Sequence, residues 1–147
     1  MLEVPDNWSN DLYYNVPIDD LVSIMVYAIN NGYTINWDGD ESEPGFSQAM
    51  GFAVLPDESV TVTQDDRQLE FDTWLTTDDH LMNITGIGND KDGKTYFLTK
   101  NSWGIMGKYA GFIYMSEKYV RLKTICILIN KKSVPPDIAA KMGLVTK

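Results

Sequence analysis

The sequence is poor in the residues that build many kinds of site. It has one cysteine, Cys126, and one histidine, His80, among 147 residues. A single cysteine excludes an internal disulfide framework, and the pair leaves no room for a cysteine-rich or multi-histidine zinc site in these residues. Basic side chains are also scarce. Twelve Lys and Arg against 21 Asp and Glu give a formal net charge of -9. That balance repels phosphate and sets aside nucleic acid and anionic membrane surfaces as partners. No apolar run approaches the ~20 residues a membrane helix needs. The opening Met-Leu-Glu-Val-Pro-Asp-Asn-Trp is acidic and polar, without the basic stretch and apolar run of a signal peptide, so a cytoplasmic location is expected. There are no internal repeats and no low-complexity tracts.

What remains is ordinary globular material, 44% hydrophobic and 22% charged, of a length that suits one domain over residues 1–147. Residues 1–16 lack periodicity and read as an irregular arm. Pro17 suits a first helical turn, and Asp19 and Asp20 complement the positive end of a helix dipole. Leu21, Ile24, Met25 and Ala28 recur at helical spacing and Gly32 supplies a stop, which predicts a helix over residues 17–31. Beyond it the chain favours strands: Tyr33–Trp37, Gly51–Leu55, Leu81–Gly88, Thr95–Thr99, Gly111–Met115 and Leu122–Asn130. A short helix near Asp65–Phe71 and a terminal helical turn at Asp137–Met142 complete the reading. The expected class is α+β, one N-terminal helix followed by a mostly antiparallel, barrel-like sheet.

Asn89-Asp90-Lys91-Asp92-Gly93 joins two of these strands and carries the Asp-Gly signal of a hairpin turn. A turn centred near Lys91 places His80 within one residue of the position facing Asn101, at the open end of the hairpin. Facing side chains in an antiparallel pair have Cβ atoms ~4.5–5.5 Å apart. An amide oxygen there can accept from one imidazole nitrogen, fix the tautomer, and leave the other nitrogen to take a proton. A histidine bonded at a strand start to any nearby polar group is the plain alternative.

Asp79-His80-Leu81-Met82, Ile84-Thr85-Gly86-Ile87 and Lys100-Asn101-Ser102-Trp103-Gly104 together resemble the papain-like cysteine peptidases, and within them the bleomycin hydrolase and aminopeptidase C branch. Gly32-Tyr33-Thr34-Ile35, Ser42-Glu43-Pro44-Gly45-Phe46 and Val134-Pro135-Pro136 are similar to that branch in order and spacing, so the resemblance spans roughly residues 7–144. It implies a papain-like C-terminal half and a role for each matched residue. His80 matches the catalytic general base and acid, Asn101 the residue that orients the imidazole, and Trp103 the indole that shields their hydrogen bond from water. Plain core packing is the other reading of Trp103. The resemblance implies a peptide substrate; no cofactor and no metal are expected.

In that family the nucleophilic cysteine, and the glutamine that helps build the oxyanion hole, precede the histidine in a separate, largely helical part. No cysteine lies upstream of His80, and neither Gln48 nor Gln64 sits in the family's glutamine motif. The expectation is therefore a C-terminal part that lacks its nucleophile, is inactive by itself, and is completed by a missing N-terminal region or a second polypeptide. Cys126, in Thr124-Ile125-Cys126-Ile127-Leu128-Ile129, reads as an inert core thiol. A barrel parted from its helical half would expose an apolar face with Trp and Met, so self-association or a covering partner is expected. Lys141-Met142-Gly143-Leu144 resembles the chain end that in this branch reaches into the cleft, although Val145-Thr146-Lys147 continues past it. Asp38, Asp40, Glu41 and Glu43 read as a solvated acidic loop rather than a calcium site. A non-enzymatic remnant or interaction module that keeps the fold is the competing function.

Overall fold

A computed structural model describes residues 2–4 and 7–144; the expected tail, residues 145–147, lies outside them. The described residues of the arm before residue 17 have neither helix nor strand. Helix α1 runs Ile18–Asn30 and turns Ile18, Leu21, Ile24, Met25 and Ala28 inward. Its N-cap is Pro17, which has no side chain with which to bond the first amides. Gln64 supplies one instead, its Oε1 accepting from the Ile18 amide at 2.8 Å. Gly32, at φ 79°, ends the helix as its sequence position predicts.

Strands β1 (Ile35–Gly39), β2 (Phe46–Ser47), β3 (Phe52–Ala53), β4 (His80–Asn89), β5 (Thr95–Asn101), β6 (Phe112–Ser116) and β7 (Thr124–Leu128) form one seven-stranded sheet in the order β2-β3-β6-β5-β4-β1-β7. Among the described residues three α-helices lie between or after them, α2 (Gln64–Asp72), α3 (Glu117–Lys123) and α4 (Pro136–Lys141), with a short 3-10 helix at Lys131–Ser133. The α+β class and the mostly antiparallel sheet stand, with one correction. The sheet is open, since β2 and β7 at its edges do not pair with each other. Its pairings are antiparallel except that β3 runs parallel to β6. Strands of two residues, such as β2 and β3, are too short for alternation to reveal their partners.

Alternate residues of β1, β4, β5 and β6 bury one face of the sheet. Ile35, Trp37, Met82, Ile84, Phe97, Ile113 and Met115 all join the main core with α1 and with Tyr119 and Val120 of α3. Trp37 is fully buried and its Nε1 donates to Thr124 Oγ1 at 2.7 Å, which satisfies the one polar atom of the indole. A second cluster joins Ile24 to Val134, Ile138 and Ala139, with Leu144 packed against it.

The acidic loop is not a solvated one. Asp40 is buried, and its carboxylate accepts from the Ser42 and Thr77 amides at 2.9 Å each. Glu43 and Glu70 both pair with the buried ammonium of Lys123. Burial alone would depress that lysine, yet its hydrogen bonds to the two carboxylates outweigh it and hold its pKa above the ordinary value. Tyr119 donates its hydroxyl to the Asp40 carbonyl at 2.6 Å. Burial, reinforced by the charges of Asp40 and Glu43, pushes that phenol well up. A loop that looked like charge facing water is therefore held against the last turn of α3, because Lys123 needs carboxylates once it is buried.

Gly39, the last residue of β1, pairs with His80 on one side and Thr124 on the other. A Cβ there would run into the Lys123 carbonyl and the Trp37 indole. Gly39→Ala is expected to lower stability by about 1–3 kcal/mol through overpacking. Urea unfolding followed by Trp fluorescence reads this directly, and an unchanged midpoint would show that the strand end yields.

Candidate active site

His80 opens β4 and Asn101 closes β5, so the hairpin brings both to its open end. The ladder shifts register between Ile84 and Gly86, and beyond this bulge Met82 faces Asn101. His80 therefore sits two residues past the facing position, on the same side of the strand as Met82. It reaches Asn101 diagonally rather than directly. The imidazole Nε2 and the Asn101 Oδ1 lie 2.8 Å apart. Asn101 is only 2% exposed, so water competes little for this bond. Among the described residues nothing is hydrogen-bonded to the Nδ1 of His80.

Trp103 stands beside the pair. Its ring lies 5.0 Å from the imidazole, tilted by 52°, and meets Phe46 edge-on at 6.2 Å on another side. With 40% of its surface exposed it is not a core residue. The start of β4 is fixed from the acidic loop. Asp79 accepts from the Glu41 amide at 2.8 Å, and Asp40 from Thr77 at 2.9 Å, so the residues just before His80 are tied to those just after β1.

Gln48, which the sequence reading set aside, belongs to this site. Its Oε1 accepts from Asn101 Nδ2 at 2.8 Å, and its Nε2 donates to the Met106 carbonyl at 3.2 Å. The loop bearing Met106 is itself held. Lys100 Nζ donates to the Gly104 and Ala110 carbonyls at 2.6 and 3.3 Å. Gly107, at φ 75°, lets that loop press against the Gln48 backbone, where a Cβ would meet the Gln48 carbonyl. No motif in the sequence marks Gln48; it lies 53 residues from Asn101 and reaches it only because β2 and β3 fold beside β6.

Cys126 is not placed to act with His80. It lies on the edge strand β7 and is half-buried, so it is less enclosed than a core thiol. It pairs with Asp38, which in turn pairs with Leu81, whereas His80 pairs with Gly39. Side chains alternate along a strand, so the thiol and the imidazole point to opposite faces of the sheet. Burial, then the neighbouring Asp38 carboxylate 3.3 Å away, pushes the thiol up to about 12. At pH 8 its thiolate fraction is roughly 10³-fold below that of an ordinary thiol, partly offset by the higher nucleophilicity of a more basic sulfur. Alkylation by iodoacetamide in the native protein should be about 10²-fold slower than for a free thiol. A rate near the free one, read by intact mass, would contradict this environment.

Among the described residues no group of three or more His, Cys, Asp or Glu side chains is placed to hold a metal ion. No helix among them is long and apolar enough to cross a membrane.

The model of the Peptidase C1-like family matches residues 4–144. Aminopeptidase W of Lactobacillus delbrueckii subsp. lactis is 28% identical over 140 residues, which are 87% of this chain and 30% of that protein. Bleomycin hydrolase of Mus musculus is 25% identical over 140 residues, 88% of this chain and 30% of that protein. The crystal structure of PepW from Lactobacillus rhamnosis HN001 shares the fold, with a TM-score of 0.64 at 20% identity over 86% of this chain and 30% of that one. The chain thus spans about 30% of the length of the curated relatives it matches.

Proposed function

Since the chain belongs to the Peptidase C1-like family, we propose that it carries the His–Asn part of a cysteine aminopeptidase site, with His80 as general base and acid, Asn101 as its orienting partner and Trp103 as a shield. The observation that carries this reading is the 2.8 Å bond between His80 Nε2 and the buried Asn101 amide, beneath the Trp103 ring. The nucleophilic thiol comes from polypeptide outside these residues, in the same chain or another. Without it the chain is inactive.

The chemistry follows from the free Nδ1. It takes the proton of the incoming thiol and leaves a thiolate beside an imidazolium, since the thiolate is the nucleophilic form. The thiolate attacks the carbonyl carbon of the scissile peptide bond. The imidazolium returns its proton to the departing amine as the C–N bond breaks, leaving a thioester. Water then attacks the thioester, giving a proton to His80 and regenerating the thiol and a carboxylate product. Asn101 holds the ring through both transfers. Trp103 keeps water from one side of the His80–Asn101 bond, which strengthens it by lowering the local dielectric. The substrate is a peptide with a free N-terminus, in keeping with the aminopeptidases the chain resembles. Trp103, Ile105 and Met106 are exposed next to the site in the chain, which supports a covering partner on that side.

The reading is tested by adding a cysteine-bearing family polypeptide and following hydrolysis of a fluorogenic aminoacyl amide. Activity should arise only in the mixture. Asn101→Ala should then lower kcat about 10–150-fold, the worth of a hydrogen bond to a charged group, with KM little changed. A mixture that forms a complex without hydrolysing the substrate would favour an interaction module.

A further inference from the structure

We propose that Gln48 is a positioning residue that sets which nitrogen of His80 carries the proton, through a one-way chain of hydrogen bonds anchored on the Met106 carbonyl. The inference rests on the peptidase reading for its catalytic meaning, but the tautomer it assigns is a property of this chain alone.

The chain of bonds runs Met106 carbonyl, Gln48, Asn101, His80. A side-chain amide can usually be turned over, exchanging its donor and acceptor ends. Here the starting point cannot be exchanged, because a backbone carbonyl only accepts. Met106 O also receives the Gly111 amide at 2.7 Å, so it is fixed in place. The group of Gln48 facing it at 3.2 Å must be the NH₂. The Oε1 of Gln48 then faces Asn101, which can answer only with its own NH₂, at 2.8 Å. That leaves Asn101 Oδ1 towards His80, and an acceptor there requires a proton on Nε2. Nδ1 keeps its lone pair. Turned the other way, Asn101 would offer a donor to Nε2 and drive the proton onto Nδ1, where it would block the nitrogen that must accept from the thiol. Both amides are nearly closed to solvent, Gln48 at 8% and Asn101 at 2% exposed, so water does not readily substitute for a missing member.

His80 is the single histidine of the sequence, so ¹⁵N-labelled protein gives one imidazole spin system. With the imidazole neutral, the wild type should show a protonated Nε2, an unprotonated Nδ1, and an Nε2 proton slow to exchange with water. Gln48→Met keeps the length of the side chain and removes both bonds. The two nitrogen shifts should then move towards each other as the Nδ1-protonated form appears, and the Nε2 proton should exchange about tenfold faster, as for loss of roughly one hydrogen bond. Gln48→Glu retains an acceptor for Asn101 and should keep the wild-type tautomer. A wild type protonated at Nδ1, or a folded Gln48→Met with unchanged imidazole signals, overturns the proposal. Should Gln48→Met not fold, the wild type and Gln48→Glu decide it, and mixed tautomers in either overturn it. Correct tautomers with no hydrolysis in the mixture would sink the peptidase reading and leave this relay standing; hydrolysis with the wrong tautomer would do the reverse.

Discussion

Replacing His80 with alanine is expected to lower hydrolysis of an aminoacyl amide by the completed peptidase about 10²–10⁴-fold, the usual contribution of a positioned general acid and base. The loss should fall on kcat more than on KM, because the imidazole acts on the thiol and the leaving amine rather than holding the ground-state peptide. It should exceed the loss from Asn101→Ala, since an unoriented imidazole still transfers protons and an absent one does not. The same ranking predicts little further loss when Asn101→Ala is added to His80→Ala, because Asn101 acts only through the ring. Near-equal rates for wild type and His80→Ala would assign the proton transfers to another group.

The second large effect concerns the frame that holds His80. Trp37→Ala should destabilise the protein by about 3–5 kcal/mol, as for large-to-small changes at fully buried aromatics. Trp37 is 0% exposed, and its loss also removes the indole proton that Thr124 Oγ1 accepts at 2.7 Å, leaving that hydroxyl only its bond to the Val120 carbonyl. For a chain of this size the change corresponds to a fall in Tm of roughly 6–20 °C. The effect reaches the site through short links. The indole lies under Gly39, and Gly39 pairs with His80. A cavity beneath that strand end should therefore loosen the imidazole even in the fraction that stays folded. Calorimetry gives the shift; a Tm within a degree or two of wild type would mean that the sheet collapses onto the gap.

How much of this was legible in the residues varied with distance along the chain. Helix α1 could be read because Leu21, Met25 and Ala28 repeat over about two turns and Gly32 stops them. The His80–Asn101 contact could be read because one hairpin carries both, and the Asp-Gly turn sets its length. Even so the diagonal geometry was hidden, since the bulge at Thr85 leaves no mark in the sequence. Helix α3 was missed for a related reason. Seven residues from Glu117 to Lys123 are too few for periodicity, although Ser116 caps the helix by accepting from the Tyr119 amide at 3.1 Å. The acidic loop was misread because its partner, Lys123, looked like one more surface lysine until α3 buried it. Gln48 was the hardest to foresee. Its place depends on a two-residue strand, a parallel pairing and a glycine-rich loop, none of which has a pattern of its own.

The proposed activation by His80 of a thiol brought from outside these residues can be tested without knowing the preferred peptide. The measurement is the iodoacetamide reaction rate of the catalytic cysteine in a cysteine-bearing family polypeptide, below pH 8, alone and with this chain. A marked acceleration is expected when the wild-type chain is bound and none when the bound chain carries His80→Ala. An equal rate with both, in complexes shown to have formed, would contradict it.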